Sequence, residues 1–138
     1  MQNEILIVAS EYYKDVLSNL IIGAKKHLNE NNYAYDIIYA PGCFEIPFLI
    51  KNNINDYLGI VALGCIIRGE TYHFEIIANE CGRKIMDLSI EFNKPIGFGI
   101  LTCDTYAQAI IRSDPLQKNK GKEAASACIN LLNKISNI

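Results

Sequence analysis

The chain is poor in the features that mark several specialised protein classes. Its 138 residues include no tryptophan, two methionines, two histidines and four prolines, and the formal net charge is only -2. A weakly acidic chain without a basic cluster is a poor candidate for nucleic-acid binding, because neutralisation of phosphates supplies most non-specific affinity. No apolar run approaches the ~20 residues that a membrane-spanning helix requires. We therefore expect neither a nucleic acid nor a membrane as a partner.

The five cysteines form no pairing pattern. They are scattered along the chain without a CxxC pair or a histidine at metal-ligand spacing, and their number is odd. This pattern argues against a disulfide framework and against a metal site. The beginning of the chain also has no positively charged segment followed by a long apolar one, as a signal peptide would have. We therefore expect reduced thiols, no bound metal and a cytoplasmic location.

What the sequence does contain is a regular alternation of strand and helix patterns. Short apolar, β-branched runs alternate with stretches in which apolar residues recur every three or four positions. The predicted strands are 4–9, 35–40, 59–67 and 95–101, and the predicted helices are 14–29, 45–54, 73–92, 104–112 and 122–135. This order predicts one α/β domain over residues 1–138, with a parallel sheet and helices on both faces.

The residues that could take part in binding or catalysis follow the predicted strands. In an open parallel sheet, ligands bind outside the carboxyl ends of the strands. The segments at those ends hold aromatic rings, carboxylates, a hydroxyl and His73, and Arg112 and two lysines lie further downstream. Such a set suits a planar polar substrate together with an anionic one. We also expect Asp104 to cap the helix that follows the fourth strand.

Taken singly, each of these residues has an ordinary structural explanation. Tyr12 and Tyr13 could pack beneath the first helix. Thr71 could serve only as a helix cap, and Glu45 could simply complement a helix dipole. Arg112 could be a solvated surface charge. The residue types alone therefore leave both the catalytic and the structural interpretation open. The fingerprints GxGxxG and GxxxxGK[ST] are absent, which argues against dinucleotide and nucleoside triphosphate sites.

Several longer blocks of sequence together resemble one family. They are PGCFEIP at 41–47, GCIIRGETYHF at 64–74, Asn79-Glu80, FGILT at 98–102 and NKG at 119–121. In order and spacing the chain resembles the lumazine synthases over nearly its whole length. The resemblance implies a three-layer αβα sandwich, with a four-stranded parallel sheet in the flavodoxin-like order 2-1-3-4.

The activity implied by the resemblance belongs to riboflavin biosynthesis. These enzymes condense 5-amino-6-(D-ribitylamino)uracil with 3,4-dihydroxy-2-butanone 4-phosphate, and the products are 6,7-dimethyl-8-ribityllumazine, phosphate and water. The steps are imine formation, phosphate elimination and ring closure. No metal, flavin or nucleotide is required, so the resemblance implies two small-molecule substrates and no cofactor.

The resemblance also assigns residues to each substrate. His73 matches the catalytic general acid/base, and Glu70 and Thr71 match the pair that binds the phosphate ketone. Arg112 matches the arginine that clamps the phosphate. The positions that match the ribitylaminouracil site are Tyr12, Cys43, Phe44, Glu45, Cys65, Ile66, Ile67 and Phe98. In that set Tyr12 would stack on the ring, and Glu45 would accept hydrogen bonds from ribityl hydroxyls.

Two further positions are supporting ones. Lys120 and Glu123 match residues near the family's site, and Glu123 could orient His73. In the family the site lies between adjacent subunits of a pentameric ring. Phe98 and Arg112 would then come from the neighbour of the chain that supplies the histidine.

The assembly and one rival function stay open. Residues 113–119 lack the glycine-rich turn associated with icosahedral shells, so we expect a homopentamer rather than a sixty-subunit shell. A functional link to riboflavin synthase is a further expectation. Many members read Arg-Phe-Asn where this chain has Glu11-Tyr12-Tyr13. A paralogue that binds lumazine or flavin without turnover is therefore the alternative, although His73 and Arg112 favour the enzyme.

Overall fold

The computed structural model describes residues 3–69 and 73–136. In chain order the elements are β1 (Ile5–Ser10), α1 (Lys14–Glu30), β2 (Tyr35–Ala40), a 3₁₀ turn (Cys43–Glu45), α2 (Ile46–Asn53), β3 (Gly59–Ile67), α3 (His73–Glu91), β4 (Ile96–Cys103), α4 (Tyr106–Ser113) and α5 (Lys120–Ser136). All four predicted strands and all five predicted helices form. The bounds predicted for β2 and β3 agree with the structure residue for residue.

The four strands form one parallel sheet in the order β2-β1-β3-β4. Every residue of β1 is buried, as expected for a strand covered on both faces. Helices α1, α4 and α5 pack on one face of the sheet, and α2 and α3 pack on the other. The predicted three-layer αβα sandwich and the strand order 2-1-3-4 are therefore confirmed.

Helix α5 lies very close to its neighbours at two glycines. A Cβ atom added to Gly97 would lie 1.9 Å from the carbonyl oxygen of Ala124. One added to Gly121 would lie 2.0 Å from the carbonyl oxygen of Leu20. Only glycine permits such an approach between two backbones. The position of α5 over β4 and α1 is therefore fixed by main-chain contact.

The start of α4 differs from the prediction. Strand β4 continues to Cys103, and Thr105, not Asp104, is the N-cap of the helix. The Thr105 hydroxyl accepts a hydrogen bond from the Gln108 N–H at 3.2 Å, and the Gln108 side chain accepts one from the Thr105 N–H at 3.4 Å. This reciprocal pair is a capping box. The Asp104 carboxylate instead accepts a hydrogen bond from Arg68 Nε at 2.9 Å.

Candidate active site

A pocket of about 630 Å³ opens where β1, β2 and β3 end. This volume is in the range of sites that bind small molecules. The pocket also reaches the start of α3, and we call it the first pocket. Eight of the predicted site residues line it: Tyr12, Cys43, Phe44, Glu45, Cys65, Ile66, Ile67 and His73. Three separate loops and one helix start therefore converge on the same space, as the order of strands and helices predicted.

Two adjacent tyrosines form one wall of the first pocket. Tyr12 is 71% exposed, and its ring meets that of Tyr13 edge to face, with centroids 4.9 Å apart. Tyr13 is half-buried against the core and lies 6.3 Å from the ring of Tyr106. Burial raises the pKa of the Tyr13 hydroxyl. Tyr13 therefore packs beneath α1, whereas Tyr12 presents its ring to the pocket.

The floor of the first pocket is made of buried thiols and strand ends. The Cys43 thiol lies 3.8 Å from the carbonyl oxygen of Cys65, to which it donates. Burial raises the pKa of Cys43 to about 11 and that of Cys65 to about 12. Both thiols are therefore neutral near pH 7, and neither is an activated nucleophile. Phe44 and Glu45, on the same 3₁₀ turn, are exposed at the pocket rim.

His73 is the first residue of α3 and is exposed at the first pocket. The start of a helix carries unsatisfied N–H groups and the positive end of the helix dipole, which favour an anion. The position therefore combines an imidazole with a helix start suited to a phosphate. The predicted phosphate-ketone residues Glu70 and Thr71 lie outside the described residues.

The other predicted residues line a separate, second pocket. It has a volume of about 510 Å³ and lies along the outer edge of β4, next to α4 and α5. Phe98, Arg112, Lys120 and Glu123 all line it. Arg112 donates to the Cys103 sulfur and to the Gln108 side-chain oxygen, each at 3.4 Å. The Lys120 ammonium lies 3.2 Å from the Glu123 carboxylate.

Among the described residues, the predicted site residues of one chain therefore lie in two pockets that share no lining residue. Within a single chain, His73 lines the first pocket, and Glu123 lines the second as the ion-pair partner of Lys120. The orientation of His73 by Glu123 stays a prediction.

Sequence reasoning missed the contacts of Arg68, which follows β3 directly. The guanidinium forms ion pairs with Glu75 and Asp104 and lies over the Phe74 ring, 4.4 Å from its centroid. These partners stand seven residues and thirty-six residues away in the sequence. The only signal was its position at the carboxyl end of a central strand, where functional residues collect.

The described part of the chain gives two further results. Within residues 3–69 and 73–136, no set of three or more histidine, cysteine, aspartate or glutamate side chains is arranged to hold a metal ion. Over the same residues, no helix combines the length and the apolar character needed to cross a membrane.

Comparison with known proteins identifies the family. The family model for 6,7-dimethyl-8-ribityllumazine synthase matches residues 2–136. The chain is 46% identical over 129 residues to the 6,7-dimethyl-8-ribityllumazine synthase of Novosphingobium aromaticivorans, with 92% of both chains covered. It is 45% identical over 130 residues to the enzyme of that name from Zymomonas mobilis, with 93% of both chains covered. For the Methylocella silvestris enzyme of that name, the identity is 43% over 133 residues, or 91% of this chain and 81% of the relative.

The blocks at 41–47 and 64–74 supply residues to the first pocket, and the fold has the sheet order implied by the resemblance. The chain therefore belongs to the 6,7-dimethyl-8-ribityllumazine synthase family, the transferases that condense 5-amino-6-(D-ribitylamino)uracil with 3,4-dihydroxy-2-butanone 4-phosphate in riboflavin biosynthesis.

Proposed function

We propose that this condensation takes place at sites built by two chains, in which the first pocket of one chain faces the second pocket of its neighbour. The observation that carries the proposal is the distribution of positive charge. Among the described residues that line the first pocket there is no lysine or arginine, whereas the second pocket contains Arg112 and Lys120. A phosphate-bearing substrate needs charge-assisted hydrogen bonds. Joining the two pockets brings the cations to the imidazole and the aromatic wall.

The edge of the sheet supports this arrangement. Strand β4 is an outer strand, and Phe98 on it is 49% exposed beside the second pocket. Unpaired edges and exposed aromatic rings favour contact with another chain. When two copies of a chain meet through two different surfaces, the contact is heterologous, and it generates a ring if the rotation closes. We propose a homopentameric ring, in preference to a sixty-subunit shell, on the family resemblance and on the sequence of residues 113–119.

In this proposal the first pocket binds the ribitylaminouracil. Tyr12 stacks on the pyrimidinedione, and Phe98 of the neighbouring chain covers the ring from the other side. Cys65, Ile66 and Ile67 offer backbone groups to the ring edge where β3 ends. Glu45, exposed at the rim, accepts hydrogen bonds from ribityl hydroxyls. Cys43 and Phe44 complete the wall around the ribityl chain.

The phosphate ketone binds between the start of α3 and Arg112 of the neighbouring chain. The guanidinium can contact two phosphate oxygens at once, which both binds and orients the group. We retain Glu70 and Thr71 as proposed phosphate-ketone residues on the resemblance. Lys120 adds positive charge to the same side of the site, and Glu123 balances it.

His73 transfers the protons in the proposed reaction. The 5-amino group of the ribitylaminouracil adds to the ketone carbonyl, and loss of water from the carbinolamine gives an imine. Elimination then releases phosphate, and ring closure with loss of a second water gives the lumazine. An imidazole titrates near neutral pH, and such transfers contribute about 10²–10⁴-fold. Holding the two substrates in register supplies the larger part of the acceleration. No step needs a cofactor.

The direct test is product formation from the two purified substrates, followed by lumazine absorbance and fluorescence. Catalysis should saturate in both substrates. His73→Ala should slow turnover at least tens-fold with little loss of ring binding. Arg112→Ala should sharply raise the KM for the phosphate ketone. Tight lumazine or riboflavin binding by the wild type without turnover would instead establish the binding paralogue.

Mixing the two variants tests whether the site is shared. Each functional site needs an intact His73 from one chain and an intact Arg112 from the next. In equimolar rings refolded together, both are intact with a probability of about one half times one half, or about one quarter of the sites. Recovery toward a quarter of wild-type activity supports the shared site. If the mixture is no more active than the separate variants, the site lies within one chain.

Location and partners are separate proposals. All five cysteines are free and buried. Free thiols persist in reducing compartments, which supports the proposal that the enzyme acts in the cytoplasm. Sedimentation at assay concentration distinguishes a pentamer, a decamer and a sixty-subunit shell. We also propose a functional link to riboflavin synthase, which a changed rate of lumazine release on addition of that enzyme would support.

A further inference from the structure

Arg68 stands at a junction of three elements. It follows the last residue of β3, and its backbone N–H donates to the carbonyl oxygen of Cys103 at 2.9 Å, which extends the contact between β3 and β4. Its side chain then leaves the sheet toward α3. Arg68 does not line the first pocket, although Gly69 and His73 do. Its effect on the site must therefore pass through the groups that it contacts.

The side chain joins the end of β4 to the first turn of α3. Its Nε donates to the Asp104 carboxylate at 2.9 Å, and another nitrogen of the same guanidinium donates to Glu75. The guanidinium also lies over the Phe74 ring, 4.4 Å from the centroid, in the geometry of a cation–π contact. Phe74 and Glu75 directly follow His73, so both contacts hold the turn on which the imidazole stands.

The charges at this junction reinforce the same conclusion. Glu75 and Asp104 both carry negative charge close to a helix start that has to accept a phosphate. A hydrogen bond from its own backbone N–H, followed by the hydrogen bond from the Arg68 guanidinium, lowers the pKa of Glu75. The Arg68 guanidinium offsets part of this negative charge and holds both carboxylates in ion pairs. Without it, two uncompensated carboxylates would face an incoming anion.

We infer that Arg68 is a positioning residue for the condensation, which fixes the first turn of α3 and shields the phosphate from Glu75 and Asp104. The inference rests on the proposed function, because it assumes that His73 and the start of α3 act on the phosphate ketone. A displacement of about 1 Å in a reacting group can cost up to ~100-fold in rate. This role requires the planar, forked guanidinium of an arginine, because a lysine ammonium cannot form both ion pairs and the ring contact in the same geometry.

The chain contains a matched control for this role. Arg83, on α3, also pairs with two carboxylates, those of Glu80 at 3.0 Å and Asp87 at 3.3 Å. The two arginine side chains are similarly exposed, at 48% for Arg68 and 58% for Arg83. Exposed ion pairs of this kind contribute little to stability. Arg68→Ala and Arg83→Ala should therefore have melting temperatures and assembly states close to wild type.

The kinetic experiment compares Arg68→Ala, Arg68→Lys and Arg83→Ala in the assembled enzyme. We expect Arg68→Ala to lower kcat about tenfold or more and to raise the KM for the phosphate ketone several-fold. The KM for the ribitylaminouracil and the fluorescence-measured affinity for lumazine should stay within about twofold of wild type, because the Arg68 side chain contacts Phe74, Glu75 and Asp104, none of which is proposed to bind that substrate. Relative to Arg68→Ala, Arg68→Lys should bring the KM part of the way back to wild type but restore little of the kcat, since it restores the charge without the forked guanidinium.

Three outcomes for Arg68→Ala would overturn the inference. They are an Arg68→Ala variant that turns over like Arg83→Ala, an equal loss of affinity for both substrates, and a loss of thermal stability or assembly that accounts for the lost activity. Arg68→Lys with wild-type kcat would refute the positioning role. His73→Ala is measured in parallel. If it is slow while Arg68→Ala is normal, the inference fails and the proposed function stands, and if His73→Ala is fully active, the proposed function itself fails.

Discussion

Replacing Gly97 by alanine should displace α5 from the sheet. The added Cβ would lie 1.9 Å from the Ala124 carbonyl oxygen and 2.8 Å from its carbonyl carbon. An ordinary carbon–oxygen contact is about 3.3 Å, so the two atoms must separate by about 1.4 Å, the difference between 3.3 and the observed 1.9 Å. The obstructing atoms belong to the helix backbone and cannot rotate away. The helix itself therefore has to move.

The magnitude follows from the cost of overpacking a core. Inserting a methyl group into a packed interior typically costs about 1–3 kcal/mol. Since a whole helix must shift, we expect about 3 kcal/mol, which for a domain of this size lowers Tm by about 10 °C. Helix α5 begins at Lys120, whose side chain lines the second pocket. Activity at a permissive temperature should therefore fall as well.

Gly82→Ala is the matched control for this prediction. Gly82 lies within α3, and a Cβ there would approach nothing closer than the Phe98 ring at 3.9 Å, an ordinary contact. Alanine is favoured over glycine inside a helix, so this variant should be unchanged or more stable by up to about 1 kcal/mol. Thermal and urea unfolding are compared at equal protein concentration, because assembly shifts apparent stability. Equal melting temperatures for the two variants would refute the close backbone contact at Gly97.

The remaining predictions concern the cap of α4 and the buried thiols. Thr105→Ala removes half of the capping box and should lower the free energy of unfolding by about 1 kcal/mol in urea titrations, whereas Thr105→Ser should stay near wild type. Burial raises the pKa of Cys43 to about 11 and those of Cys65 and Cys128 to about 12, from an ordinary value of 9.0. Because the folded-state pKa values are raised, the associated stability is complete below pH 9 and is lost as the pH rises toward 11–12, so Tm should fall over that range. A flat Tm, or rapid reaction of native thiols with Ellman's reagent, would contradict this.

The fold could be predicted largely from local patterns because each element carries its own signal. Strands β2 and β3 are apolar runs bounded by turn residues, and their ends agree with the prediction. The predicted end of β4, at residue 101, was wrong because the true end depends on hydrogen-bonded pairing with β3. Cys103 lies in register with Ile67 of β3, a tertiary contact that periodicity does not encode. The cap was misassigned to Asp104 although Thr105 and Gln108 have the spacing of a capping box, so here the sequence contained the correct signal.

The candidate site was predicted less completely, for a physical reason. The loops that converge on the first pocket follow from strand order, since the carboxyl ends of parallel strands share one side of the sheet. The division between two pockets depends on which edge of the sheet α4 and α5 cover, and helical periodicity does not specify that choice. The contacts of Arg68 were missed for a similar reason. They join residues that are distant in sequence and that no local motif connects.

The two pockets are also separate along the chain. Among the described residues, the first is lined only by residues 12–77 and the second only by residues 98–127. Gly97 and Ala124, which fix α5 over the sheet, both follow the turn after α3. A recombination crossover between two related genes in the turn after α3 would therefore exchange one pocket and leave the other intact, provided that glycine is kept at position 121 against Leu20 and aspartate at position 104 against Arg68. Natural variation can in this way alter the residues that line one pocket without changing those that line the other.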